Sequence, residues 1–352
     1  MYTIFYGETA VASSNNPNFA IVSGTIEQNK NCADKLTFTL AANNPERDTP
    51  QIRALIVIVK RNDTTVFKGD VISTKLKYDG SREITCQGCL AWLNDVCNAK
   101  IAVASTVSGT FHNRIARYNS LCKSSRVLNE GKCTNQPSST VRIKSTDVFM
   151  TVFDYFKELI SRKGGIMLPR YVSDDVYIDY FEKGSHTSSQ EIFFGGNLLD
   201  LENYVSAENM ITTIFPTGKD GITIASVNPS GLDYISNPRL MSMYGMIATG
   251  IQFDSETEAE LLADAKSTLN ALAVLNQTIT LNAIDLSELD ATVDTIEIGD
   301  SVRAVSIPHG LDTNLECSAK TIDLVNPANS TITLGKTLKS LSKIIAMGGI
   351  KK

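Results

Sequence analysis

The chain is 352 residues long, with 33 Lys and Arg against 38 Asp and Glu, for a formal net charge of −5. With 42% hydrophobic and 20% charged residues, 22 Gly and 10 Pro, it lacks the bias of disordered, collagen-like or coiled-coil chains and reads as a soluble globular protein. A single core stops growing near roughly 250–300 residues, so the length favours two or more domains.

Seven cysteines, an odd number, are not the dense even set of a small secreted domain and point to a reducing compartment at synthesis. The amino terminus, MYTIFYGETAVASSNN, has neither a basic n-region nor a long apolar stretch, so no signal peptide is expected. The longest uncharged apolar-rich run, Leu240 to Phe253, suits a core element rather than a membrane span of ~20 residues. Charge is uneven. Residues Cys97 to Arg170 carry 12 Lys and Arg against 4 acids, a net +8, whereas Asp254 to Asp300 carry 11 acids and only Lys266, a net −10. Such asymmetry suggests separate domains or mutually attracting surfaces of neighbouring subunits, set against the plainer reading of solvated faces.

In chain order, the first ninety residues alternate in the strand manner: FAIVSGTIEQ, KLTFTLAA, ALIVIVKR, then a meander ending near Gly88. Asp79-Gly80 predicts a type I′ hairpin, which needs positive φ at both central residues. Leu90, Leu93 and Cys97, beside Trp92, and then Phe111, Ile115, Tyr118 and Cys122 recur at helical spacing. Residues 123–145 are polar and aperiodic, a loop or weak strand. The clearest helix spans Asp147 to Arg162, with an apolar stripe of Phe149, Val152, Phe153, Phe156, Leu159 and Ile160, basic residues at its carboxyl end and Gly164-Gly165 as cap.

A strand is expected at Val176 to Tyr180, and Asn197 is placed to cap a short helix through Tyr204. MITTIFP and GITIAS then read as strands about the turn TGKDG. Ser255 and Glu258 form a capping box for an acidic helix from Glu256 to Ala273, whose buried face is Leu262, Ala265, Leu269 and Leu272. From Gln277 the strand pattern returns in QTITLNAIDL, TIEIGDSVRAVSI, LECSAKTIDLV and STITLGKT, and KSLSKIIAMGGIKK ends as a frayed tail. No short repeat argues for a solenoid or propeller.

Chemistry is sparse. His112, His186 and His309 have no acidic or cysteine neighbours at metal-ligand spacing, and no HExxH, GxSxG or phosphate-cradling motif occurs. No cofactor or metal is expected. Cys86-Gln-Gly-Cys89 has the spacing of zinc or disulfide-exchange sites, but no second ligand pair accompanies it, so ordinary buried cysteines are favoured. Asp174-Asp175, Glu288/Asp290 and Glu297/Asp300 are the carboxylate pairs open to acid–base work, each beside a turn signal where acids are commonly only solvated. The basic region has no RNP motif, zinc finger or dense Lys/Arg run, which leaves passive phosphate contact as its nucleic-acid option.

The order of features carries more than any motif. VFKGDVISTKLKYDGSREITCQGCLAWLNDV, then NLLDLENYVSAENMITTIFPTGKDGITIAS, YISNPRLMSMYGMIATGIQF, LLADAKSTLNAL, TITLNAIDL, IEIGDSVRAV and STITLGKTLKSL together resemble the prophage endopeptidase tail family. This family comprises tail-associated lysin amino-terminal regions, similar to the baseplate hub of contractile phages and the VgrG base. The family-like positions are Phe67, Gly69, Gly88, Trp92, Gly218, Tyr244, Gly245, Gly299 and Asp300.

The resemblance implies a β-rich α+β chain with two small antiparallel β-barrel tube domains, 1–95 and 200–215 with 277–340. It also implies two α+β peripheral domains, 96–199 and 216–276, and a tail at 341–352. It further implies a non-enzymatic homotrimeric ring joining a hexameric tail tube to tail-tip, spike or fibre proteins. Tape-measure protein would be a further partner, and genomic DNA would pass the lumen. The chain would then reside in the virion tail after synthesis in the bacterial cytoplasm. Arg114, Arg117 and Lys123 on one side and Glu256, Glu260 and Asp264 on the other are the charged positions proposed to meet between subunits. The rival readings are a cell-wall hydrolase and, more weakly, a host-surface adhesin. Many relatives continue into a peptidoglycan-cleaving domain and this sequence stops at Lys352, so the word endopeptidase does not transfer to these residues.

Overall fold

Period-two alternation builds the first sheet. In β1 (Tyr2–Tyr6) the residues Tyr2, Ile4 and Tyr6 point inward, and in β4 (Lys35–Leu40) Leu36, Phe38 and Leu40 do the same. With β2 (Thr9–Ser13), β3 (Ile21–Asn29), β5 (Ile56–Arg61), β6 (Thr64–Leu76) and β7 (Arg82–Gly88) they run in the order β3-β4-β7-β6-β5-β1-β2. The computed structural model describes residues 1–98, 102–144, 149–173, 175–182, 186–206, 210–272, 276–290 and 292–335. These divide into two units, Met1–Leu201 with Leu281–Gly335, and Glu202–Thr280.

The β6–β7 hairpin departs from the type I′ expectation. Gly80 has φ +80°, but Asp79 is not among the residues at positive φ. Lys77 N–H instead donates to the Ser81 carbonyl at 2.8 Å, while the Asp79 carboxylate accepts from Ser81 N–H at 2.9 Å. A three-residue loop closed by an aspartate turn thus replaces the two-residue one.

After β7 the chain makes a 3-10 turn at Cys89–Asn94 rather than the expected helix, burying Leu90, Trp92 and Leu93. Then come β8 (Ala102–Thr106), α1 (Val107–Asn119), β9 (Asn129–Cys133), β10 (Thr140–Lys144), α2 (Val152–Lys163), β11 (Ile166–Val172) and β12 (Asp175–Phe181). The segment 123–145 therefore holds two strands. They are short and polar, and are recruited by partners distant in sequence: β9 lies parallel to β12, and β10 antiparallel to β8. Helix α2 begins five residues later than expected because the Thr151 hydroxyl accepts the Asp154 N–H at 3.0 Å and caps it there, leaving Phe149 58% exposed. Its carboxyl end stops at Gly164 as foreseen, with φ +70°. Phe111 of α1 lies 5.5 Å from the Phe156 ring of α2 and 5.9 Å from Tyr180 of β12, the centre of a second core.

The chain then forms β13 (Ile192–Phe193) and β14 (Leu198–Ser206). The helix expected from Asn197 is a strand. The Asn197 side chain faces backward, accepting the Phe193 N–H at 3.1 Å and donating to the Glu191 carbonyl, so it closes a turn instead of capping. The last strands of this unit are β18 (Asn276–Ile284), β19 (Ser301–Ser306), β20 (Leu311–Asp323) and β21 (Thr331–Gly335), as the alternation predicts, although β18 begins before the unit does. Strand β20 pairs with β3, Ala319 against Asn29 through Asp323 against Thr25, so the strand path reads β14-β18-β21-β20-β3 and onward through the first sheet. The chain is α+β and strand-rich, as expected.

The second unit holds β15 (Thr213–Thr217), β16 (Ile235–Ser236), α3 (Pro238–Tyr244), β17 (Ala248–Gln252) and α4 (Glu258–Leu272). GITIAS is not a strand. Both edges of β15 are occupied, by β16 antiparallel and β17 parallel, so the turn at 218–221 has no partner to return to, and only Ile224 of the segment is fully buried. Residues Leu240 to Phe253 are not a core element either. They split into α3 and β17, with Met243, Tyr244, Met246 and Ile247 exposed and only Ile251 and Phe253 buried. Helix α4 starts two residues late because Thr257, not Ser255, accepts the Glu260 N–H, while Ser255 donates to Asp264 at 2.8 Å. The tail 341–352 lies outside the described residues.

Phe111 is fully buried. Phe111→Ala should cost about 3–5 kcal/mol, the range for truncating a core aromatic, read as a lower urea midpoint at unchanged slope. An effect under about 1 kcal/mol would mean that the α1–α2–β12 core is not packed as described.

Candidate functional site

The family-like positions do not gather into one pocket. Phe67 is fully buried in β6, and a Cβ at Gly69 would stand 2.1 Å from the Gln87 carbonyl oxygen, so only glycine lets β6 and β7 approach there. Gly88 closes on Asp34, and Trp92 is buried where the meander meets the second core. In the second unit Gly218 forms the turn after β15, and Gly245 ends α3 at φ +78° beside the exposed Tyr244. Gly299 and Asp300 form the turn before β19, where the Asp300 carboxylate accepts the Glu297 N–H at 2.9 Å and lies 3.0 Å from His186 Nδ1.

Of the most concentrated polar feature, only Glu288 was singled out by spacing. Lys320 of β20 is buried to 3% exposure, with its ammonium 2.8 Å from Asp285 and 3.6 Å from Glu288. Glu288 also accepts the Tyr2 hydroxyl at 2.8 Å and lies 3.2 Å from Arg61. The groups thus come from β1, the end of β5, the turn after β18, and β20. Burial alone would push the Lys320 ammonium down, but the carboxylates of Glu297, Asp285 and Glu288 outweigh it and hold it above the usual lysine value. For Asp285, burial pushes upward and is overcome by Lys320 with hydrogen bonds from Ser287 and Gln190, leaving the carboxyl below its usual 3.8. Burial and then Glu288 push the Tyr2 phenol up, so it stays a neutral donor. Lys320, Asp285, Glu288, Tyr2 and Arg61 thus engage one another within the fold as an ionic lock.

The other candidates resolve similarly. Cys86 and Cys89 are both buried, and burial pushes the Cys89 thiol up to about 12 and Cys86 higher still, away from the reactive thiolate. Asp290 closes a turn on Thr292 N–H at 2.9 Å, and Glu288 belongs to the lock. Asp175 is exposed in β12, and Asp174 lies outside the described residues. Glu297, Asp300, His186, Arg170 and Asp179 share a shallow recess, but Asp179 is held by Arg170 at 2.6 Å and Asp300 by its turn. Among the described residues no three metal-ligating side chains converge, and no helix is long and apolar enough to cross a membrane.

Of the charged positions, Arg114 is turned inward, donating to Asn98 at 3.0 Å and stacking 4.9 Å from the Tyr155 ring, whereas Arg117 and Lys123 are exposed. Glu256, Glu260 and Asp264 are exposed on the second unit. Glu256 pairs with Lys219 at 2.7 Å, and Glu260 and Asp264 share a surface recess with Ser255.

The turn at Gly299-Asp300 lies in a stretch of the chain that is similar to a known family. Residues 186–345 match the prophage endopeptidase tail family. The match covers the carboxyl-terminal part of the element order on which the resemblance rests. A segment of 103 residues, 29% of this chain, is 26% identical to the SPbeta prophage-derived uncharacterized protein YomG of Bacillus subtilis, and spans 12% of that protein's length. In fold the chain is similar to the tail protein from Neisseria meningitidis MC58, with a TM-score of 0.64 at 14% identity over 99% of this chain and 98% of that one. It is also similar to the 43 kDa tail protein of prophage MuSo2 from Shewanella oneidensis, with a TM-score of 0.63 at 11% identity over 98% and 97%. The E. coli c3393 protein is described as a type VI secretion component with structural similarity to the T4 tail proteins gp27 and gp5. It aligns with a TM-score of 0.50 at 9% identity over 91% of this chain and 74% of that one. The prophage tail resemblance read from sequence is thus matched by both family and fold.

The lock yields a signed pH test. The Asp285 contribution is full above its usual 3.8 and is lost as pH falls through its lower folded value, whereas that of Lys320 is full below 10.5 and lost as pH rises past its higher folded value. Lys320→Met should cost roughly 3–5 kcal/mol at pH 7 by leaving buried carboxylates unpaired. Their protonation on acidification should narrow the gap to wild type in urea unfolding at pH 5. A gap that widens at pH 5 would contradict the lock.

Proposed function

We propose that this chain is a structural protein of a phage or prophage-derived tail, acting as a hub between tail tube and tail tip. The observation that carries this is the end-to-end fold likeness to tail proteins, which spans nearly the whole of both chains and not one module. The likeness to a type VI secretion component related to gp27 and gp5 favours the hub over other tail positions. Engagement of the candidate acids in turns and ion pairs favours scaffold over cell-wall hydrolase.

In this reading three copies close a ring in which two β-rich tube domains per copy, 1–95 and 200–215 with 277–340, alternate and mate with a sixfold tube. The regions 96–199 and 216–276 lie at the periphery. Distal tail, spike or fibre proteins and a tape-measure protein are its neighbours, and genomic DNA crosses the lumen without sequence-specific contact. The particle, not the cell, is its site of action.

Full-length protein mixed with its tail-tube protein should give threefold rings by electron microscopy, at about three times 38.3 kDa for the hub component. Wall clearing on a zymogram, abolished by a single Asp or Glu substitution, would transfer the assignment to a hydrolase.

A further inference from the structure

The ionic lock brings a nucleophile, an electrophile and a proton carrier into one dry place. Asp285 is fully buried, and Lys320 and Glu288 are nearly so. The two oxygens of Asp285 have different surroundings. Oδ1 accepts three hydrogen bonds, from Ser287 N–H at 3.0 Å, the Ser287 hydroxyl at 2.7 Å and Gln190 Nε2 at 3.1 Å. Oδ2 accepts no hydrogen bond of regular geometry among the described residues, although the Lys320 nitrogen lies 2.8 Å from it. A lysine that only neutralised the carboxylate would aim an N–H along a lone pair. Here the approach is close without that alignment, and Lys320 donates instead to the Ile296 carbonyl at 3.3 Å.

This is the geometry of a carboxyl group set for attack by an amine. Three donors on one carboxyl oxygen stabilise the negative charge that collects there when a nucleophile adds to the carbon. The oxygen left without such donors is the one able to leave, and the nitrogen beside it is held where a bond-forming step gains most from proximity. Glu288 completes the set. Its Oε2 is occupied by the Tyr2 hydroxyl at 2.8 Å and by Arg61 at 3.2 Å, which leaves Oε1, 3.6 Å from the Lys320 nitrogen, to take up and return a proton. The charge pair is the resting form. A proton passed across the 2.8 Å contact turns it into a neutral amine and a neutral acid, the form that burial favours for each group.

We propose that Lys320 and Asp285 condense to an amide within the chain, with Glu288 as the proton carrier, and that the ionic lock is the precursor of this bond. The Lys320 nitrogen bonds to the Asp285 carboxyl carbon, the bond from that carbon to Oδ2 breaks, and Oδ2 leaves as water with two protons of the ammonium, the second passed through Glu288. Nothing is oxidised or reduced, and no co-reactant is consumed. Condensation removes two buried charges, whose desolvation is the main cost of the pair. The bond ties the turn after β18 to β20, the strand that joins the two ends of the chain through β3. The inference is independent of the hub reading, because it concerns one folding unit of one copy.

The test is the intact mass of the full chain, reduced and unfolded. It should lie one water below the mass of the sequence, and trypsin should release segment 267–303 joined to segment 304–336, uncut after Lys320. Asp285→Asn should lose ammonia in place of water and arrive at the same mass as the bonded wild type, since both routes give one product. Lys320→Arg should keep its full sequence mass. In freshly made protein, Glu288→Gln should form the bond roughly a hundredfold more slowly. The decisive readout uses the unaltered chain, so a variant that fails to fold does not obscure it. A wild-type chain that holds its full sequence mass after prolonged incubation at neutral pH overturns the proposal. So does a loss of water that maps to Asp79-Gly80 or Asp220-Gly221, where ring closure on the backbone gives the same mass change. An unchanged rate in Glu288→Gln overturns the role given to that carboxylate.

Discussion

The strand path depends on one antiparallel ladder. Residues Thr25–Asn29 of β3 pair with Ala319–Asp323 of β20, and through this join the strands of the first ninety residues and those near the carboxyl end become one sheet. The ladder is reinforced from behind. Lys320, opposite Gln28 in the register, sends its ammonium to Asp285 and Glu288, and Glu288 in turn holds Tyr2 and Arg61. Replacing the whole cluster by apolar residues could be nearly neutral, but removing the lysine alone would leave Asp285 and Glu288 buried without their cation. Lys320 admits only the register that brings both carboxylates to it.

A second ionic contact does the same for the helical insert. Arg126, buried between α1 and β9, lies 2.9 Å from Asp70 in β6 and donates to the Arg53 carbonyl. The insert thus rests on the sheet through charge-assisted bonds as well as through the packing of Trp92 and its neighbours. Together the two contacts join parts of the first unit that are distant in sequence.

Strong periodicity was legible. The inward residues of β4, most of the stripe of α2 and the acidic α4 follow from spacing, although Phe149 is exposed and Leu261, not Leu262, is fully buried in α4, and the order of elements was enough to suggest the tail family. What failed did so for identifiable reasons. Asn197 has the residue type of a cap but spends its side chain on the turn behind it. GITIAS has strand composition but no free edge to join. Leu240 to Phe253 lacks charge, yet most of it faces solvent, since an uncharged run does not by itself find a core. The lock was not legible as a unit: Glu288 was among the carboxylates singled out, but positions 2, 61, 285 and 320 carry no local pattern, and only the fold assembles them.

The ladder between β3 and β20 also sets a timetable. Asn29 and Ala319 are 290 residues apart, and a ribosome adding about 5–20 residues per second needs on the order of 15–60 seconds to cover that distance. Throughout that interval β3 has β4 on one side and an empty edge on the other. Loop closure over so long a span is slow relative to local pairing, so the amino-terminal sheet gains β20 only after that distant strand has been made. Folding of the amino-terminal sheet is therefore tied to the synthesis of a segment almost three hundred residues further on.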